Sequence, residues 1–204
     1  MQEKDISTEQ VILEAAEKEF LEKGFSGAKT IAIANRAGVN HAMLHYYFRT
    51  KENLFNTIFQ KKIQTLADSF SASFDPNKSF FDQLRVAIEA HFDFVGANPK
   101  LLFFIYGEII ANDERKKELI KKIYPNVEGV LNMLKRGLKS EVARGTIRPI
   151  HPVELLMNVV SLNIVTFLAM PLFETLGEEF ILTNDILKQR KESNVQFIIN
   201  ALKV

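Results

Sequence analysis

Apolar residues recur along this chain at helical spacing, three and four apart, and almost nowhere in strand-like alternation. Val11, Ala15 and Phe20 with their neighbours mark a first helix over about 8–23, ended by Lys23-Gly24. Ile31, Ile33, Ala34 and Ala37 form the apolar face of a short second helix, for which Thr30 is the expected N-cap. Gly38 stops it, because glycine takes the left-handed C′ conformation without steric cost. Asn40 caps a third helix through Tyr47, with Leu44 and Phe48 one turn apart on its core side. Thr50 then caps a longer helix over about 51–73, with Leu54, Phe55, Ile58, Phe59, Ile63, Leu66 and Phe70 along one side.

Asp75-Pro76-Asn77 is a turn, and beyond it the pattern predicts helices at about 79–96, 100–111, 115–123, 126–144, 152–174 and 185–203. Asn98-Pro99, Pro125, Gly145 and Pro152 punctuate them. The fold class is therefore all-α: an N-terminal three-helix domain over 1–50 and a C-terminal helical domain over 51–204, with the helix over about 51–73 connecting the two. Residues 155–173 approach the length of a bilayer span. Asn158, Ser161, Asn163 and Thr166 interrupt that run and Pro171 breaks its end, so burial against protein is the better account and no membrane partner is expected.

Two short helices about one glycine, with alanines where they must pack closely, form a helix-turn-helix. Its second helix is shaped to enter a DNA major groove. Residues 41–47 would present His41, Ala42, Met43, His45, Tyr46 and Tyr47 to the bases and backbone. The alternative for His41 and His45 is a pair of metal ligands at His-x₃-His spacing, but no Glu follows the first His and no third ligand is near in sequence. No metal and no cofactor are expected. Lys51, in the first turn of its helix and beside Arg49, is unfavourable against the positive helix end unless an anion docks there, and phosphate is the usual one. Lys29, Thr30, Asn40 and Thr50 complete the expected DNA surface.

Thr30, Ile33-Ala34, Ala37-Gly38-Val39-Asn40, Leu44, Tyr47-Phe48, Lys51-Glu52 and Leu54 together resemble the TetR family of bacterial regulators. The resemblance covers roughly the N-terminal quarter of the chain at fixed spacing, and is architectural beyond it. His45 stands where the family usually has tyrosine, and Met43 where it more often has a small residue. The resemblance implies a homodimer that binds near-palindromic double-stranded DNA, a phosphate contact for Tyr47, and a second domain that binds a small-molecule effector and dimerises. An effector that shifts the fourth helix would change the distance between the two reading heads and release a repressor from its operator.

Charge distribution supports the DNA surface, although the net charge is only +1. Residues 1–22 carry two lysines against seven acids, a balance of −5; residues 23–62 carry seven bases against Glu52, a balance of +6. There are no cysteines, so disulfides and thiolate chemistry are excluded, and the polar N-terminus has no apolar signal region, which fits a cytoplasmic protein.

Seventeen phenylalanines and no tryptophan make the second domain a candidate for an apolar or aromatic effector. Phe94, Phe103 and Phe104, with the polar His91, Tyr106, Glu108, Asn158 and Asn163, are the candidate lining. The last two long helices are the candidate dimer interface, through Val159, Leu162, Thr166 and Phe167 on one and Val195, Ile198, Ile199 and Leu202 on the other. A helical-bundle enzyme using Glu108 and His91 is an alternative, although no nucleophilic triad or phosphate loop is present. A protein-interaction module, or an activator on the same fold, is the other.

Overall fold

Caps and glycines set the helix boundaries of the N-terminal region in this computed structural model. The structure describes residues 7–73, 75, 77–111 and 113–204, with the backbone alone at 69–73, 106, 108–111 and 115. Ten α-helices are present among them: α1 Thr8–Gly27, α2 Thr30–Ala37, α3 His41–Phe48, α4 Lys51–Ser73, α5 Phe80–Ala97, α6 Pro99–Ala111, α7 Asp113–Ala143, α8 Pro152–Leu168, α9 Met170–Leu176 and α10 Asn184–Leu202. Extended pairing among the described residues is limited to one isolated bridge, between Ile147 and Lys203.

Two compact units result. The first comprises residues 1–64 with 103–119, and the second 65–102 with 120–204. The first unit therefore extends past residue 50, because Leu54, Phe55, Ile58 and Phe59 of α4 are buried in its core with Ile12, Phe20, Ile33 and Leu44. Its centre is aromatic. Phe55 meets Phe20 edge-on at 5.6 Å and Phe25 at 5.4 Å, and Phe104 lies 5.3 Å from Phe55. Such pairs add about 0.5–1.5 kcal/mol each beyond the area they bury.

In the second unit α5, α8 and α10 pack on one another and on the C-terminal half of α7. Leu84, Ile88, Leu138, Leu155, Val195 and Ile198 are the centre of that core. Gly137 lets α7 approach the Phe80 ring, which a Cβ would meet at 2.6 Å.

Several helix boundaries differ from the sequence pattern: Gly24 does not end α1 but kinks it, at φ 69°, and α1 continues to Gly27. Pro125 does not divide α7, which runs through it for 31 residues. Proline removes one ladder bond, and here its ring is exposed while Leu119 before it and Leu134 and Leu138 after it anchor the helix on both sides. The expected helix over 152–174 instead bends by 42° between α8 and α9. Pro171, in the first turn of α9, has no N–H to continue the ladder. Among the described residues no single helix is long and apolar enough to cross a membrane. Finally, Thr30 is not the cap of α2; Lys29 holds that position without a side-chain bond.

Candidate nucleic-acid interface

The turn between α2 and α3 carries the glycine signature in full. Gly38 has φ 68° and ψ 24°; its N–H donates to Asn35 and that of Val39 donates to Ala34 at 3.0 Å. This pair of bonds satisfies the last carbonyls of α2. Asn40 Oδ1 then accepts from the Met43 N–H at 2.7 Å and starts α3. Leu44 and Phe48 pin α3 to the core, fully buried and nearly so. The rest of α3 faces outward: Ala42, Met43, His45 and Tyr47 are exposed, and Tyr46 is 82% exposed. Ile31, assigned by its spacing to the buried face of α2, is in fact 61% exposed, since a two-turn helix buries only Ile33 and Ala34 fully.

Thr30, freed from capping, has its Oγ1 2.9 Å from His41 Nε2, a bond that ties the start of α2 to the start of α3. His41 is accordingly half-buried and positions the reading helix. The His41 and His45 rings meet edge to face at 4.4 Å. His45 Nδ1 bonds Arg49 O at 2.9 Å, so each imidazole has a hydrogen-bond partner of its own.

Lys51 is placed otherwise than the phosphate argument expects. Its Nζ donates to the carbonyls of Phe25 and Ala28 at 2.9 and 3.0 Å and lies 4.6 Å from the centre of the Phe25 ring. The cation that seemed misplaced at a helix N-terminus is satisfied by the turn after α1. Other members of the basic block are also paired with the acids of α1. Arg36 makes a two-pronged bond to Glu22 at 2.9 and 2.7 Å and reaches buried Glu19 at 3.4 Å, while Lys62 pairs with Glu17 at 2.9 Å. Hydrogen bonding to Glu22 holds the Arg36 guanidinium pKa above its ordinary value.

Lys29 and Arg49 are exposed and have no ion pair among the described residues. Arg49 was not on the expected list of DNA contacts, although its charge and its place between the two helices were legible. Thr50 Oγ1 accepts from the Asn53 N–H at 3.1 Å, which leaves its own O–H to donate outward.

The effector candidates are divided between the two units. Phe104 packs against Phe20 and Phe55, and Phe103, 43% exposed, belongs to the same first unit. The side chains of Tyr106 and Glu108 lie outside the described residues. Asn158 is exposed on α8, and Phe94 packs beside Phe92, Val95 and Phe167. Asn163 and His91 are joined in a buried polar network: Asn163 Nδ2 donates to Ile88 O at 2.9 Å and to His91 Nδ1 at 3.1 Å, and its Oδ1 accepts from Asn194 Nδ2 at 2.9 Å. These groups tie α5, α8 and α10 together, and burial pushes the His91 pKa from 6.5 down to about 4. A cleft of about 250 Å³ does open in the second unit, lined by Phe92, Gly96, Phe167, Leu187, Lys188 and Lys191 among others.

The dimer candidates need correction as well. Thr166, Phe167, Val195, Ile198, Ile199 and Leu202 are buried within one copy of the chain, and Val159 and Leu162 pack against the same core. The exposed stripes lie on the opposite sides: Val153, Met157, Val165 and Leu168 on α8, and Ile186 and Phe197 on α10. The α8 helix is apolar nearly all round and α10 carries Ile186 and Phe197 outside its buried side, so spacing alone does not say which apolar residues turn inward.

Comparison with known proteins decides what this head belongs to. Residues 12–58, from α1 through the first turns of α4, match the family of bacterial regulatory proteins named tetR. The head of the chain is a TetR-family domain. It is 24% identical over 137 residues to the fatty acid metabolism regulator protein of Bacillus subtilis, covering 67% of this chain and 69% of that one. It is 31% identical over 102 residues to the transcriptional repressor SCO4008 of Streptomyces coelicolor, half of each chain. In fold it is similar to the regulator FadR of Bacillus subtilis solved with stearoyl-CoA, at TM-score 0.67 and 18% identity over 94% of this chain and 97% of that one. The TetR-family relatives are transcriptional regulators, not enzymes, which removes the helical-bundle enzyme reading.

Proposed function

We propose that this TetR-family regulator is a homodimeric repressor, released from a near-palindromic operator by a small apolar or aromatic effector. The observation that carries the DNA reading is α3 itself. Two core anchors leave Ala42, Met43, His45, Tyr46 and Tyr47 facing outward from a helix held by an Asn40 cap. A helix so fixed, with an aromatic outer face, suits a groove and not bulk water. Lys29, Arg49, the Thr50 hydroxyl and Tyr47 at its ends are the proposed phosphate partners, and Lys51 acts through the turn it holds.

For the dimer, the exposed stripes of α8 and α10 are the proposed contact; Met157 at 59% and Phe197 at 65% exposure are large apolar groups that a second copy would cover. Two heads on one dimer read two half-sites, and an effector that alters their separation lowers affinity by preventing both from docking. A relative named as a repressor supports this sign, although another is named as an activator, and relatives named for fatty acid metabolism or solved with stearoyl-CoA support an acyl chain as one candidate effector.

Selection of bound sequences from random DNA at physiological salt tests the reading. An enriched near-palindrome is expected; a folded dimer that enriches nothing, and carries no co-purified ligand by mass spectrometry, overturns it. A promoter fusion to the selected site separates repression from activation.

A further inference from the structure

The turn that follows the reading helix is strained, and His45 is tied to it. Arg49 has φ 60° and ψ −51°, the only positive φ outside glycine among the described residues. The Thr50 N–H donates to Phe48 O at 2.6 Å, closing a three-residue γ-turn about Arg49. Residue 49 is held to residue 45 twice: its N–H donates to His45 O at 2.9 Å, and its carbonyl lies 2.9 Å from His45 Nδ1.

A carbonyl oxygen only accepts, so the hydrogen of this second bond belongs to His45 Nδ1. In the neutral ring Nε2 then carries a lone pair and no hydrogen. Nε2 has no hydrogen-bond partner among the described residues, and the ring is exposed on the outer side of α3. In the major groove the donors are the exocyclic amines, cytosine N4 and adenine N6; guanine O6 and N7 and thymine O4 are acceptors. We infer that His45, locked with its hydrogen on Nδ1, specifies a base that offers an exocyclic amine to Nε2, and that guanine and thymine are rejected there by lone-pair repulsion. The strained turn thereby acts as a specificity device: it fixes which polarity of base edge the imidazole can meet. The inference rests on the reading that α3 enters a major groove.

Two experiments on the full chain separate its failure from failure of that reading. In the first, long-range ¹⁵N spectra of the free protein above the ordinary imidazole range, with His45 assigned by substitution, should show Nδ1 as the protonated nitrogen and Nε2 as the bare one. The reverse pattern overturns the inference whatever the DNA does.

The second uses the selected operator. Wild type and His45→Ala are compared on sites in which the amine is deleted at one position at a time, cytosine by 2-pyrimidinone and adenine by purine. At one position wild type should lose about five- to tenfold in affinity, the scale of one hydrogen bond, and His45→Ala less than twofold. Equal losses for both proteins at every position overturn the inference, whereas failure to select any operator overturns the groove reading alone. Since His45→Ala also removes the bond that holds the turn, it is measured again with Arg49→Gly, where glycine accepts the positive φ unaided.

Discussion

Acid should weaken the second unit through a single histidine, by an amount its surroundings fix. His91 sits on α5 inside the α5–α8–α10 core, and its imidazole pKa is pushed by burial from 6.5 to about 4. Its Nδ1 accepts from Asn163 Nδ2, an arrangement that exists only while that nitrogen is bare. Between those two pKa values the unfolded chain binds a proton that the folded chain refuses, so stability rises with pH across the window and is complete above about 6.5. Falling from about pH 7.5 to about pH 4.5, the linkage removes about 2.5 kcal/mol; below the folded pKa the loss levels off. That is a sizeable part of the 5–15 kcal/mol typical of a folded domain.

The assay is urea unfolding followed by circular dichroism at a series of pH values, at one ionic strength and one protein concentration, because the stability of the proposed dimer would depend on concentration. His91→Asn is the control. Its Oδ1 takes the place of Nδ1 and still accepts from Asn163, but does not titrate. The variant starts lower, having lost ring volume, yet the gap between it and wild type should close by about 2.5 kcal/mol as the pH falls. Parallel curves, with the gap constant to about 0.5 kcal/mol, would show that the acid sensitivity lies elsewhere and that the burial argument fails.

Other outcomes follow from the same contacts. Phe197→Glu and Met157→Glu should give folded monomers by light scattering, whereas Ile198→Glu, which buries a charge, should unfold the chain; dimers from both of the first pair would refute the proposed interface. Lys51→Met should cost about 2 kcal/mol of stability by releasing two carbonyls, and leave the salt dependence of DNA binding unchanged. Arg49→Ala should flatten that salt dependence by about one unit of slope; the same slope as wild type would remove Arg49 from the phosphate contacts. Asn40→Ala should cost about 1 kcal/mol through its lost cap, and a melting curve like that of wild type would show that α3 is held by Leu44 and Phe48 alone.

Local chemistry made much of the reading head legible. Gly38 and Asn40 act on backbone groups within five residues of themselves, so the turn and the start of α3 follow from residue type alone. Leu44 and Phe48, one turn apart, set which side of α3 faces the core, and so which side is left for DNA. The long helices were legible for the same reason, apart from Pro125 and Pro171, whose effects depend on what anchors the helix on either side.

What spacing does not encode is the partner of a side chain distant in sequence. Lys51 reaches carbonyls 26 and 23 residues away, Thr30 bonds His41 instead of its own helix, and Asn163 finds His91 across 72 residues. Read locally, Lys51, His91 and Asn163 are polar groups without a partner and are assigned outward, while Thr30 is assigned to cap its own helix. For α8 the difficulty is that it is apolar nearly all round, and for α10 that Phe197 and Ile198 are adjacent apolar residues; only packing in the core decides that Ile198 turns in and Phe197 turns out. The sequence by itself thus determined the all-α class, the Gly38 and Asn40 caps and the TetR-family head, because those are short-range matters of backbone satisfaction and periodicity. Tertiary structure decided which polar groups are tied down and which apolar faces remain for a partner, because both depend on elements that meet only after the chain has folded.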